Sequence, residues 1–149
     1  MYFVEQEKID QTLSYMDQLL KTYKEEHFSS TKVHQLALER IAQMTIESII
    51  DVGNMMIDGF IMRDPGSYED IIDILVDEKV IDAEEEGSFK AIIGLRTMLV
   101  RDYSEINHQL ILDQLNQHLE TLENFSHQVL TYLEKEMGPI TAFKKRADE

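Results

Sequence analysis

Arg96, Arg101 and Tyr103 sit in an otherwise apolar stretch that reads Ala91-Ile92-Ile93-Gly94-Leu95 before Arg96 and Met98-Leu99-Val100 after it. A guanidinium buried without partners is strongly disfavoured, because it leaves water without recovering its hydrogen bonds. Arg96 therefore either snorkels out of the packing as a structural residue or is held for an anion. On a straight helix Tyr103, seven residues on, shares the Arg96 stripe, while Arg101 is turned by about 140°. Arg101 joins the pair only if the helix bends or ends there. Two arginines per subunit, four in a dimer, would make a positive pocket for a phosphate, a nucleotide or an RNA backbone. The alternative for Arg101 is ion pairing with Asp102, Glu105 or Asp51. For Tyr103 it is a place at the edge of the core, with only its hydroxyl bonded.

A second polar group interrupts an apolar run. Asp51 and Asn54 lie three residues apart among Ile49, Ile50, Val52, Met55 and Met56, so they share a helix face. They could orient Arg96 from behind, or form a buried polar pair that fixes helix register. Gly53 between them would let another helix approach closely.

The elements that must position these residues are helical. Ile9, Leu13, Met16, Leu20 and Tyr23 recur at steps of three and four, predicting a first helix from near Met1 to about His27. Ser29-Ser30 offers an N-cap for a second helix that carries Val33, Leu36, Ala37, Ile41 and Met44 through Glu47 to about Met62. Asp64-Pro65-Gly66 should end it. Ser67 with Asp70 predicts a capped short helix that buries Ile71, Ile72, Ile74 and Leu75. Asp82 with Glu85 predicts the next start, with Glu84-Glu85-Glu86 as a favourable acidic first turn, and a helix running unbroken through Phe89 and Ile93 into the Arg96 segment. The last helix should begin between Ile106 and His108 and stop at Gly138-Pro139. Its Leu112, Leu115, Leu119, Leu122, Val129 and Leu133 follow the same spacing, with Ser126 as an interruption.

Four helices of useful length plus a short one predict an all-α antiparallel four-helix bundle over residues 1–140. A frayed tail at 141–149 carries Lys144, Lys145 and Arg146. The longest helices reach about 40 to 50 Å at roughly 1.5 Å per residue, more apolar length than one chain covers, so a homodimer is expected.

Composition closes off several classes of function. The net charge of −15, from 29 acidic against 14 basic residues, opposes broad nonspecific nucleic-acid binding but leaves room for a local basic cleft. No apolar run approaches the roughly 18 to 20 residues of a membrane span, and no secretory signal is visible. The absence of cysteine removes disulfides and thiolate metal sites, which suits the cytoplasm. Glu105-Ile106-Asn107-His108 is one Glu-x-x-His, but none of His27, His34, His118 and His127 follows a glutamate by three. A paired carboxylate–histidine metal site is therefore not expected, and neither is any cofactor. Glycine-rich phosphate loops, serine-nucleophile motifs and zinc-finger spacings are lacking as well.

The run Gly94-Leu95-Arg96-x-x-Leu99-Val100-x-x-Tyr103 resembles the signature of the HepT-like branch of the HEPN families, which usually reads Gly-Leu-Arg-Asn-x-Leu-Val-His-x-Tyr. Ile49 to Asn54 is similar to that family's second-helix motif, and Arg63-Asp64-Pro65-Gly66-Ser67-Tyr68 to the loop that follows it. The resemblance implies the ribonuclease toxin of a toxin–antitoxin pair, cutting RNA without metal at a dimer cleft. It gives Arg96 the scissile phosphate and a histidine the proton of the attacking 2′-hydroxyl. It also implies that a small nucleotidyltransferase antitoxin attaches AMP to Tyr103, placing charge and bulk in the cleft. Two positions depart from the pattern: Thr97 replaces asparagine, and Arg101 replaces the histidine. Arginine has no acceptor lone pair, so Arg101 cannot be the base. His108, twelve positions after Arg96, could substitute only if the chain turned back near Ser104. The other reading is an inactive dimeric module that binds nucleotide, RNA or a protein partner.

Overall fold

Helix α1, Gln6–Glu25, buries Ile9, Leu13, Met16, Leu20 and Tyr23, the stripe that the three-and-four spacing marks out. The computed structural model describes residues 4–138, so the tail from Thr141 lies outside the described residues. Helix α2, Lys32–Gly59, is capped by Thr31, whose hydroxyl accepts from the His34 N–H. Ser29, expected as part of the cap, instead bonds Thr31 and the His34 ring. The cap falls at Thr31 because its extended backbone aims the side chain back at the first turn.

Helix α2 is the hub of the molecule. Its buried residues include Leu38, Ile41, Ile46, Ile49, Val52 and Met56, which cover more than one face, and it packs against α1, α3, α5 and α6. It stops at Gly59, before the Asp64-Pro65-Gly66 turn expected to end it. The Met62 N–H reaches the Ile57 carbonyl at 2.9 Å, and Ile61 adopts a φ of 54°. This is a helix-ending turn in which a β-branched residue holds the left-handed position usually given to glycine.

Helix α3, Tyr68–Asp77, starts as expected: Ser67 Oγ accepts from the Asp70 N–H at 3.1 Å. The Asp70 carboxylate reaches back to the Gly66 N–H at 2.8 Å and takes a two-pronged bond from Arg63 at 2.7 and 2.9 Å. Those bonds pull its carboxyl down to about 2, the Arg63 bond contributing most. Helix α3 lies so close to α2 that a Cβ on Gly53 would collide with Ile71 Cγ2, so the close approach expected at Gly53 is made by α3.

A 3-10 turn, Ala83–Glu85, leads into α4, Glu86–Ile93. Asp82 makes no side-chain cap there; Gln128 fastens this start instead, accepting from the Asp82 N–H and donating to Glu85. The unbroken helix expected through Arg96 is divided. The Leu95 N–H bonds the Ile92 carbonyl in a tightened turn, and the chain resumes as α5, Arg96–Val100. Glycine is a weak helix former, and a Cβ at position 94 would sit only 3.3 Å from the Lys90 carbonyl oxygen. Helix α6, His108–Met137, is capped by Asn107 and closed by Gly138. Asp17 accepts from the Ser126 hydroxyl, Tyr23 donates to Asn116 and Lys24 pairs with Glu123, so the second half of α1 meets the middle of α6. Ser126, the polar interruption in the apolar stripe of α6, is thereby satisfied.

At 28 and 30 residues, α2 and α6 are about 42 and 45 Å long. The fold is an all-α helical bundle, and no helix among the described residues is long and apolar enough to cross a membrane.

Candidate functional site

Arg96 opens α5 just after the tightened turn at Gly94-Leu95, which swings it toward α2. Its Nε donates to Glu47 Oε1 at 2.6 Å, and its guanidinium carbon lies 4.5 Å from the centre of the Tyr68 ring. A carboxylate and an aromatic face together hold a half-buried cation well, because each offsets the water the guanidinium has lost. The Glu47 bond raises the Arg96 pKa further above its ordinary value. Among the described residues these are its partners, and its two terminal amino groups carry no hydrogen bond.

Arg96 lines a cleft of about 390 Å³. Ser67, Tyr68 and Glu69 form its α3 side. Arg96, Thr97 and Arg101 form its α5 side, over Ile93, Gly94 and Val100. Arg101 also lines the cleft although it keeps a helical backbone, its N–H bonding the Thr97 carbonyl at 2.9 Å, so a rotation of about 140° from Arg96 does not keep the two side chains from sharing one opening. It is exposed and makes no ion pair among the described residues, so pairing with Asp102, Glu105 or Asp51 does not occur there. Two arginines thus line one small cleft in a strongly acidic protein.

Several expected positions fall elsewhere. Tyr103 does not share a helix stripe with Arg96: it lies past the end of α5 and is 70% exposed, neither lining the cleft nor closing the core. Asp51 and Asn54 make no bond to Arg96, and the orienting carboxylate is Glu47, one turn before Asp51. Asp51 is on the surface rather than in a buried pair; partial burial first, and then the Glu47 charge, raise its pKa. Asn54 is half-buried and lines a neighbouring cavity with Pro65, Gly66 and Tyr68. The chain does turn back before His108, yet this histidine bonds Glu39 through Nε2 at 2.7 Å and does not line the cleft. Among the described residues no group of three or more His, Asp or Glu side chains could hold a metal ion.

Glu47, Tyr68 and Glu69 were missed as site residues when the sequence was read alone. Glu47 had a faint signal: Glu47, Asp51 and Asn54 form a polar stripe at steps of four and three on a largely apolar helix. Tyr68 closes the Arg63-to-Tyr68 motif, and Glu69 has only its place just after it.

The all-α bundle that presents this anchored arginine matches the HEPN-like class of folds. The model of the family described as "Ribonuclease HepT-like" matches residues 9–129. YutE of Bacillus subtilis is 43% identical over 144 residues, covering 97% of this chain and all of the relative. Its solved structure superposes with a TM-score of 0.91 at 42% identity, over 93% of this chain and 97% of that one. The mRNA nuclease HepT of Shewanella oneidensis is 29% identical over 83 residues, 56% of this chain and 62% of the relative. The tri-AMPylated Shewanella oneidensis HEPN toxin, solved in complex with an MNT antitoxin, shares the fold at a TM-score of 0.72 and 23% identity, covering 83% of this chain and 96% of that one. The chain belongs to the HepT-like ribonuclease family.

Proposed function

We propose that this chain is a homodimeric HEPN-type ribonuclease of a toxin–antitoxin pair, with the Arg96 cleft holding the RNA phosphodiester. The observation that carries the reading is the arginine itself: Glu47 and Tyr68 fix the guanidinium, and Arg96 lines a cleft together with Arg101. A guanidinium fixed in this way meets the charge that develops on a phosphoryl oxygen without having to reorganise. In cleavage the 2′-oxygen attacks phosphorus, its proton passes to a base, and the bond to the 5′-oxygen breaks as that oxygen gains a proton. Glu69 is the carboxylate that lines the cleft and is our candidate acceptor.

Homodimer formation is supported by apolar side chains left on the surface of the single chain, whose helices we read as an antiparallel four-helix bundle with a short extra helix. Val33 is 74% exposed and Leu36 51%, with Leu110 and Leu130 also open to water. The antitoxin complex of the Shewanella toxin supports a partner of the same kind, and the exposed Tyr103 hydroxyl is accessible to a nucleotidyltransferase. A cytoplasmic location fits a cysteine-free chain.

One observation favours the second reading, a dimeric module that binds nucleotide, RNA or a protein partner without cutting. No imidazole lines the described cleft, and Arg101 occupies the histidine position of the family pattern. The deciding test is metal-free incubation of wild type, Glu69→Gln, Arg101→His and Arg96→Ala/Arg101→His with mixed RNA. Wild-type cleavage that disappears in Glu69→Gln supports the ribonuclease with a carboxylate base. A silent wild type with cutting gained in Arg101→His, by roughly 10²- to 10⁴-fold and dependent on Arg96, supports a binding module descended from the nuclease. Sedimentation equilibrium at micromolar concentration should give twice the chain mass, and a single-chain mass would defeat the dimer.

A further inference from the structure

The Arg96 cleft has a neighbour. A second cavity of about 340 Å³, lined by Asn54, Pro65, Gly66, Ser67, Tyr68 and Ile71, shares Ser67 and Tyr68 with it as a common wall. The two differ in charge. The cleft carries both arginines and Glu69, whereas no residue lining the second cavity is charged. Side by side they match the two halves of a nucleotide, an anionic phosphate and a flat, neutral, hydrogen-bonding ring.

We propose that the second cavity is a nucleobase subsite, receiving one base of the RNA whose phosphate is held at Arg96. This inference rests on the RNA reading of the cleft and names the part of the substrate that would be recognised beside it. Three features support it. Tyr68 is 45% exposed and lines both spaces, so a base could pack against the ring that backs the Arg96 guanidinium; protein recognition of single-stranded RNA commonly stacks bases on aromatic rings. Asn54 brings a half-buried amide with no hydrogen bond to any described residue, leaving two donors and an acceptor for the edge of a base. The wall is also held in place before any ligand arrives. Asp70 clamps Gly66 and Arg63, and Ser67 caps α3, so Tyr68 enters its helix from a fastened loop. The volume falls at the small end of the range for ligand pockets, about 300 to 1,000 Å³, as one base requires.

The test compares ribose 5-phosphate with the four ribonucleoside 5′-monophosphates by calorimetric titration, using the full chain. At least one nucleotide should bind wild type on the order of 10-fold more tightly than ribose 5-phosphate, the size of one base–aromatic contact with a polar partner. Asn54→Leu should bring the nucleotides to within about 2-fold of one another while ribose 5-phosphate affinity stays unchanged. Should the leucine variant fail to fold, Asn54→Asp keeps the shape and should change which base is preferred. Equal binding of ribose 5-phosphate and every nucleotide by wild type would overturn the subsite, as would a preference that survives both substitutions, or no nucleotide binding at millimolar concentration. Arg96→Ala tests the phosphate reading separately. It should weaken ribose 5-phosphate and nucleotides alike, and if it weakens neither, the cleft reading fails whatever Asn54 does.

Discussion

Helix α2 holds two basic side chains by single carboxylates, and they do different work. Glu47 binds Arg96 at 2.6 Å and Glu39 binds His108 at 2.7 Å, with the four side chains between 22% and 26% exposed. The glutamates are eight residues apart, about 12 Å along the helix. The guanidinium keeps its charge at any physiological pH, whereas the imidazole of the other pair is charged only when protonated. Arg96 also has Tyr68 behind it and Arg101 beside it, and it opens onto a cleft. His108 begins α6 beyond the loop that carries Tyr103. The difference teaches that this chain anchors its embedded arginine and its nearest histidine on carboxylates two turns of α2 apart. Within one chain the two do not meet on one phosphodiester.

The sharpest way to break that comparison is to remove each basic group in turn. Arg96→Ala should cut RNA cleavage, or RNA affinity if the wild type does not cleave, by about 10²-fold or more, because the group facing the phosphate is gone. His108→Gln should change either quantity by less than about 3-fold. A loss at His108 as large as that at Arg96 would show that the Glu39 pair reaches the substrate, as it could only from the other subunit of a dimer.

Gly53→Ala attacks the Arg96 end from behind. The added methyl meets the branched side chain of Ile71, which cannot swing aside cheaply, so α3 must move away from α2 and take Tyr68 with it. Unfolding free energy should fall by about 1 to 3 kcal/mol, read by urea denaturation. RNA affinity should fall as well, since Tyr68 backs Arg96. A variant as stable as wild type would mean that the α2–α3 contact yields easily.

Ile61→Gly works in the opposite direction. It relieves a β-branched residue held at φ 54°, just before the loop that leads to Tyr68. A gain of about 0.5 to 1 kcal/mol is expected, visible as a small rise in Tm with the Arg96 and His108 pairs both intact.

The smallest effect concerns acid. Asp70 has its carboxyl held at about 2 by Arg63 and the Gly66 N–H, below the ordinary value near 3.8. A carboxyl lowered by folding contributes stability that is fully present above the unfolded value and is lost as pH falls from about 4 toward 2. Asp70→Asn should therefore flatten the acid limb of a stability–pH curve in that window and leave neutral pH little changed. An acid limb unaltered by the substitution would remove Asp70 from the account.

Much of this was legible in residue spacing. The Ile9-to-Tyr23 stripe, the Ser67 cap with Asp70 and the buried isoleucines of α3 all appear where a period of three to four residues and a local hydrogen bond put them. Boundaries were less legible. Thr31 and Ser29 are both good caps by type, and backbone conformation chose between them. Gly59 to Ile61 ends α2 with an isoleucine in the left-handed position, which no rule of local preference would select.

The sequence by itself determined that the chain is helical, that α1, α3 and α6 each have one apolar face, and that an arginine is embedded in an apolar segment whose motif marks the family. These properties depend on neighbours within a turn or two, and neighbours are written in order along the chain. Only the tertiary structure decided what that arginine does. Glu47 lies 49 residues from Arg96 and Tyr68 lies 28, and both reach it only because α2, α3 and α5 converge around a turn tightened at Gly94-Leu95. Arg101 lines the same cleft, and Tyr103, past the end of α5, is left in solvent. Both outcomes depend on where a helix stops and what it packs against, and periodicity along a single helix carries no record of either.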